Sequence, residues 1–284
     1  MPSRKKGARR RRPGWAPLPA TASSWDVTGT GSGAGTSSGS EEFVGCGWAA
    51  PSSLAMAEVG WAPAEKPNLF SRLEQSLNAF VERANGQAVA NVCWSIATLD
   101  LMTKHKPLLD RLWRQAMDMD PAKLNGTELN QLAVVQLHAR AAGVVLGPEP
   151  SPQMRDSMTR AAKEGGRVSF AIEEEYSRLL REVGFQHERQ VPPVPALEGS
   201  KLLTIDMACR RTMVAVELAL PGCFLSSGRE KGRTVAKRRL LERLGWRVIT
   251  VSWREDDEMD KKGGGLFETR AVSYTHLRAH ETVL

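Results

Sequence analysis

Two carboxylates stand where acids are costly. Asp206 in LLTIDMA and Glu217 in VAVELAL each lie mid-run among apolar neighbours, so each must be paired, hydrogen-bonded or bound to a metal ion to offset its desolvation. A second group is basic. Arg233, Lys237, Arg238 and Arg239 bracket the start of a helix-forming run, where phosphate can be met by side-chain cations and by the free amides of a first turn. Arg247 follows in the next run, and Trp246 and Trp253 offer ring faces for stacking an unpaired base. Strict alternation does not place both tryptophans on one face, so at least one belongs to the core, and Trp246 is read as core ahead of platform.

Charge favours the same partner class. The net charge is +7, and the seven cations between Arg4 and Arg12 come before any acid, the first being Asp26. From Lys201 to Arg254, twelve Lys and Arg face four acids, a local basic surface that concentrates polyanions. Cys46, Cys93, Cys209 and Cys223 have no CxxC spacing and no histidine beside them, so neither a disulfide framework nor a metal site is expected. His105, His138 and His187 stand apart and are read as satisfied or surface residues; the acids Glu255 to Asp260 are read as a solvated exit loop. No apolar run is long enough to span a bilayer, and no membrane role is expected.

These residues need elements to position them. Residues 1–66 are rich in Gly, Ser, Ala and Pro and read as an unfolded basic leader. Its GTGSGAG run lacks the preceding strand and following helix that a nucleotide loop requires, and its recurring GWAP motifs are irregularly spaced. The Arg-rich, acid-poor start fits a transit peptide for a mitochondrion or plastid, with nuclear import as the alternative. From 67 to 165 the apolar spacing is helical, with helices expected to about Ala84, then over Ala88–Leu99, Pro107–Met117, Glu128–Ala142 and Pro152–Ala162. Asn85-Gly86 and Asn125-Gly126 lie 40 residues apart, and Val89, Val92, Cys93 and Ala97 align with Leu129, Leu132, Ala133 and Leu137, which suggests an α-solenoid-like repeat. The last unit, 166–262, reads as a helix over Phe170–Glu182, strands near Phe185–Val191, Leu202–Ala208 and Met213–Leu220, a helix from Thr234 stopped by Gly245, and a strand over Trp246–Trp253.

The resulting α-β-β-β-α-β order resembles the PD-(D/E)XK nuclease fold, which would make Asp206 and Glu217 the candidate catalytic acids that hold a divalent metal. Ala219 stands where that fold carries its lysine, so Lys237 or Arg238 would have to reach in from the helix. More specifically, SRLLREVGFQHERQV, TIDMA, VAVELALPGCF and GRTVAKRRLLERLGWRVITVSW resemble the RAP domain found at the C-terminus of organellar RNA-metabolism proteins. NVCWSIATLDL resembles the helical repeats that precede such domains. The run Leu218 to Phe224 departs from the RAP pattern, lacking its Asp, Gly and His. The terminal VSYTHLRAHETVL, residues 272–284, resembles translated sequencing-adapter read-through and is set apart from the fold.

The expectation is therefore an RNA-binding protein of organellar RNA metabolism, acting on single-stranded RNA in processing, stability or translation. No cofactor and no small-molecule substrate are expected. The alternatives are a divalent-metal-dependent endoribonuclease with a degenerate motif, for which magnesium would be the candidate ion, and a scaffold whose protein partners belong to an RNA-processing or ribosome-assembly complex.

Overall fold

A computed structural model describes residues 49–60, 74–79, 81–164, 171–197 and 199–252. The helical tract comprises α1 (Ala49–Val59), α2 (Gly86–Thr98), α3 (Lys106–Asp118), α4 (Gly126–Ala141) and α5 (Pro152–Glu164), with residues 74–79 also helical. α1 lies inside the stretch expected to be an unfolded leader. Met56 and Ala57 bury against α2 and carry the folded region back into that stretch. The remaining expectations for the basic leader, the acidic loop, the tail and Trp253 lie outside the described residues.

The two Asn-Gly pairs start equivalent helices. Asn85 Oδ1 accepts from the Ala88 amide at 2.9 Å, and Asn125 Oδ1 accepts from the Glu128 amide at 3.0 Å, so each satisfies one orphan donor of a first turn. Glu128 returns the bond to the Asn125 amide at 2.9 Å, completing a capping box. α2 and α4 then pack on each other, and α3 and α5 pack against α2 and α4 respectively, giving two helix pairs. Gln131 donates to Asn91 Oδ1 at 3.0 Å in the buried seam, joining side chains that occupy the same place in the two pairs. α2 is apolar or small nearly all round, as a helix enclosed by α1, α3 and α4 should be.

The second unit contains α6 (Ala171–Glu182), β1 (Glu188–Val191), β2 (Ile205–Cys209), β3 (Val214–Ala219), α7 (Gly232–Arg243) and β4 (Arg247–Ser252). The sheet order is β1-β2-β3-β4, antiparallel except for the β3–β4 pair, whose parallel crossover is supplied by α7. This is the expected α-β-β-β-α-β order. Tyr176 and Phe185 pack with Met207, Val216 and Leu218 on one face, while Leu241 and Trp246 pack with Ile205, Ala208 and Ala215 on the other.

The units are joined through α7, which touches α1, α2 and α4 as well as β4. Leu202, just before β2, enters the apolar core of the helical tract, and the Lys201 amide donates to the Ala162 carbonyl at 2.8 Å. No helix among the described residues is long and apolar enough to cross a membrane.

Candidate nucleic-acid interface and buried acid pair

Antiparallel register sets Asp206 on β2 opposite Glu217 on β3, on the face covered by α7. Asp206 is 3% exposed, and its Oδ2 accepts from the Leu218 amide at 2.9 Å. Glu217 Oε1 accepts from the Asp206 amide at 3.3 Å, and its Oε2 pairs with the Lys237 ammonium. Lys237 thus reaches from the helix to the strand acid Glu217. The three side chains form one hydrogen-bonded set in which backbone amides and a cation offset the desolvation of both acids.

The other cations of α7 also have intramolecular partners. Arg233 lies 4.0 Å from Glu58 near the end of α1. Arg238 donates to both oxygens of Glu230 at 3.0 and 2.8 Å. Arg239 donates to the Ala97 and Thr98 carbonyls at 3.1 and 2.9 Å, and so caps the last turn of α2. Arg243 grips Asp100 with two nitrogens, and Arg239 Nε lies 3.7 Å from the same carboxylate. α7 therefore crosses the carbonyl ends of α1 and α2, where positive charge is favourable.

Electrostatics of this junction follow from the same groups. The hydrogen bond from Arg243 holds the Asp100 carboxyl below its ordinary range, with the charge of Arg239 adding to it against the opposing effect of burial. His138 on α4 is lowered to about 4, first by burial and then by the charges of Arg239 and Arg243, so a neutral imidazole sits beside the two cations. Burial also lowers Arg239, partly opposed by Asp100.

The first turn of α7 meets α1 instead of open solvent. A Cβ at Gly232 would stand 1.8 Å from the Ala57 carbonyl oxygen and 2.9 Å from Gly60 Cα. Trp246 is a correction to its place among the nucleic-acid contacts. It is 4% exposed and its Nε1 donates to the Pro193 carbonyl at 2.8 Å, so the ring fills the core beneath α7 and has no free face. Arg247 is exposed at the start of β4.

Sequence reasoning did not single out Asp100 or Arg243. Their partners lie 143 residues apart for Asp100 and Arg243, and no local spacing signals that pairing. Two of the histidines have bonded ring nitrogens, His105 Nδ1 at 2.8 Å from Glu74 and His187 Nε2 at 2.8 Å from the Ser177 hydroxyl, whereas His138 Nδ1 is buried with no hydrogen-bond partner among the described residues. Among the described residues there is no cluster of three or more metal-ligating side chains.

Comparison with known proteins bears on the strands and helix that carry this set. Residues 217–263 match the family model of the RAP domain. A relative from Oryza sativa subsp. japonica, named RAP domain-containing protein, chloroplastic, is 21% identical over 210 residues, which cover 70% of this chain and 31% of the relative. The chain thus spans about a third of that relative's length. The matched segment takes in the end of β3 from Glu217, α7 and β4, so the similarity to the RAP domain falls on the elements that carry Glu217 and Lys237.

Proposed function

We propose that the protein binds single-stranded RNA in organellar RNA metabolism, the helical tract meeting bases and the α/β unit meeting backbone phosphates. The observation that carries this reading is the matched RAP domain seated on two equivalent helix pairs. Stacked helical pairs are a form in which proteins read unpaired bases in succession, and we read these two as part of an α-solenoid tract. A plastid is the favoured compartment: the Arg-rich, acid-poor start supports an organelle, and the rice relative is named chloroplastic. Binding needs no cofactor.

A second reading, a metal-dependent endoribonuclease of PD-(D/E)XK type, is favoured by one observation: Lys237 joins Asp206 and Glu217 on one sheet face. The residues as arranged do not fit a magnesium ion. Asp206 is buried and bonded to a backbone amide, and both oxygens of Glu217 are occupied by an amide and by Lys237. No hydrolytic step is derived through them, and the trio is assigned to holding α7 on the sheet.

The test is incubation of the full chain with a pool of organellar transcripts, with and without magnesium. Retention of intact RNA in both conditions is expected. Magnesium-dependent shortening that disappears in Asp206→Ala would replace the binder with the nuclease, and no retention at low salt would favour a protein scaffold.

A further inference from the structure

With the cations of α7 engaged by intramolecular partners, other arginines of the α/β unit gather around a groove. Arg178 and Arg181 stand one turn apart on α6 and are exposed, and Arg189 lies on β1, the edge strand of the sheet. With Glu174, Ser177 and Glu182 these arginines line an open groove of about 510 Å³.

The groove is built from beneath. Glu173, buried under it, lies 4.0 Å from the Arg189 guanidinium and accepts from Gln190 at 2.8 Å. The Ser177 hydroxyl meets His187 Nε2 at 2.8 Å, while His187 Nδ1 meets the Phe185 carbonyl at 3.0 Å and its ring stacks on Phe185. Burial lowers His187, and Arg181 and Arg189 add to that effect despite the opposing Phe185 bond, so both guanidinium groups act on one ring from the two walls. A neutral ring donates to the carbonyl and accepts from Ser177, which fixes this floor without adding charge.

Arg181 has no ion-pair partner among the described residues. Arg178 pairs with Glu182 across an exposed turn, a weak contact that a phosphate oxygen can displace. Three guanidinium forks from two elements, around an open trough with a hydroxyl in its lining, suit a phosphodiester chain passing along the edge strand.

We propose that this groove receives the backbone of single-stranded RNA, with a phosphate between Arg181 and Arg189 and Arg178 on its flank. The proposal rests on the RNA-binding reading above and moves the backbone contact from α7 to the α6–β1 groove.

The experiment is equilibrium binding of a fluorescent U-rich oligonucleotide to the full chain across a salt series. Wild type is compared with Arg181→Gln, Arg181→Lys and the double variant Arg178→Gln/Arg181→Gln. Thermal unfolding checks that these exposed changes leave the fold intact. The double variant is expected to bind about tenfold more weakly at low salt, and its salt slope to fall by about 0.7 for each phosphate no longer contacted. Arg181→Lys is expected to recover part of the affinity, because the charge remains while the fork is lost. Wild-type binding with an unchanged double variant would overturn the groove and leave RNA binding standing. Absence of wild-type binding at low salt would overturn RNA binding and the groove together.

Discussion

Arg243 and Asp100, 143 residues apart in the chain, meet through two hydrogen bonds of 2.8 and 2.9 Å. The backbone at Asp100 shows how this contact is built. The carbonyl ends of α4 and α7 close on glycines with positive φ, Gly143 and Gly245, whereas α2 closes on Asp100 at φ 62. The Leu101 amide bonds back to the Ile96 carbonyl and the Asp100 amide to that of Ala97, the two bonds of a Schellman turn. An L-residue there is less favourable than glycine by about 1 kcal/mol. Its carboxylate is what joins this turn to Arg243 and Arg239.

Asp100→Asn should therefore destabilise the protein even though asparagine tolerates a left-handed backbone well. The pair is partly exposed, so the loss is discounted to about 1 kcal/mol, which corresponds to a fall in Tm of about 3 °C. Thermal unfolding of the full chain reads this directly, and an Asn variant as stable as wild type would remove the clamp from the account.

At the start of α7, Gly232→Ala should cost about 3 kcal/mol or separate α7 from α1, because the added methyl meets backbone and not a flexible side chain. Denaturant unfolding measures the loss. Protease susceptibility near Gly60 should rise alongside it.

Acid should weaken the junction through His138. Its folded value of about 4 lies below the ordinary 6.5, so the unfolded chain binds the extra proton first and stability falls as pH drops from about 6.5 towards 4. The full effect of this group is about 3 kcal/mol. Asp100, lowered in the fold, acts in the same direction at lower pH: its contribution is present above the unfolded carboxylate value and is lost as pH falls through the folded one. His138→Leu should flatten the stability curve between pH 6.5 and 4, as followed by urea unfolding at several pH values.

The seam between the helix pairs predicts coupling. Asn91→Ala and Gln131→Ala should each cost about 1–3 kcal/mol, since each leaves a buried amide without its partner. The double variant should cost less than their sum by at least 0.5 kcal/mol. Strict additivity in a double-mutant cycle would contradict the contact.

The helices and strands were legible because their apolar residues recur at 3.6 and 2, with Asn85, Asn125 and Gly245 marking ends that caps and left-handed turns enforce. The opposed acids were legible too, since Asp206 and Glu217 interrupt apolar strands. α1 was hidden by composition: AAPSSLAMAEV reads as a continuation of the Gly- and Ser-rich stretch, and its burial comes from α2. The role of α7 was hidden by chemistry. Its sequence, GRTVAKRRLLER, reads as a basic surface, yet its cations meet carboxylates and helix-end carbonyls on strands and helices far away in the chain. Burial by ion pairing leaves no apolar periodicity to detect.

Arg239→Gln tests the assignment of α7 most directly, with unfolding stability and single-stranded RNA affinity measured on the same full-length preparation. Losing the charge-assisted bonds to Ala97 and Thr98 should cost about 2 kcal/mol, with RNA affinity at a temperature where the variant is folded staying within twofold of wild type. A variant of wild-type stability whose RNA affinity falls tenfold would contradict the clamp and return the basic helix to the RNA surface.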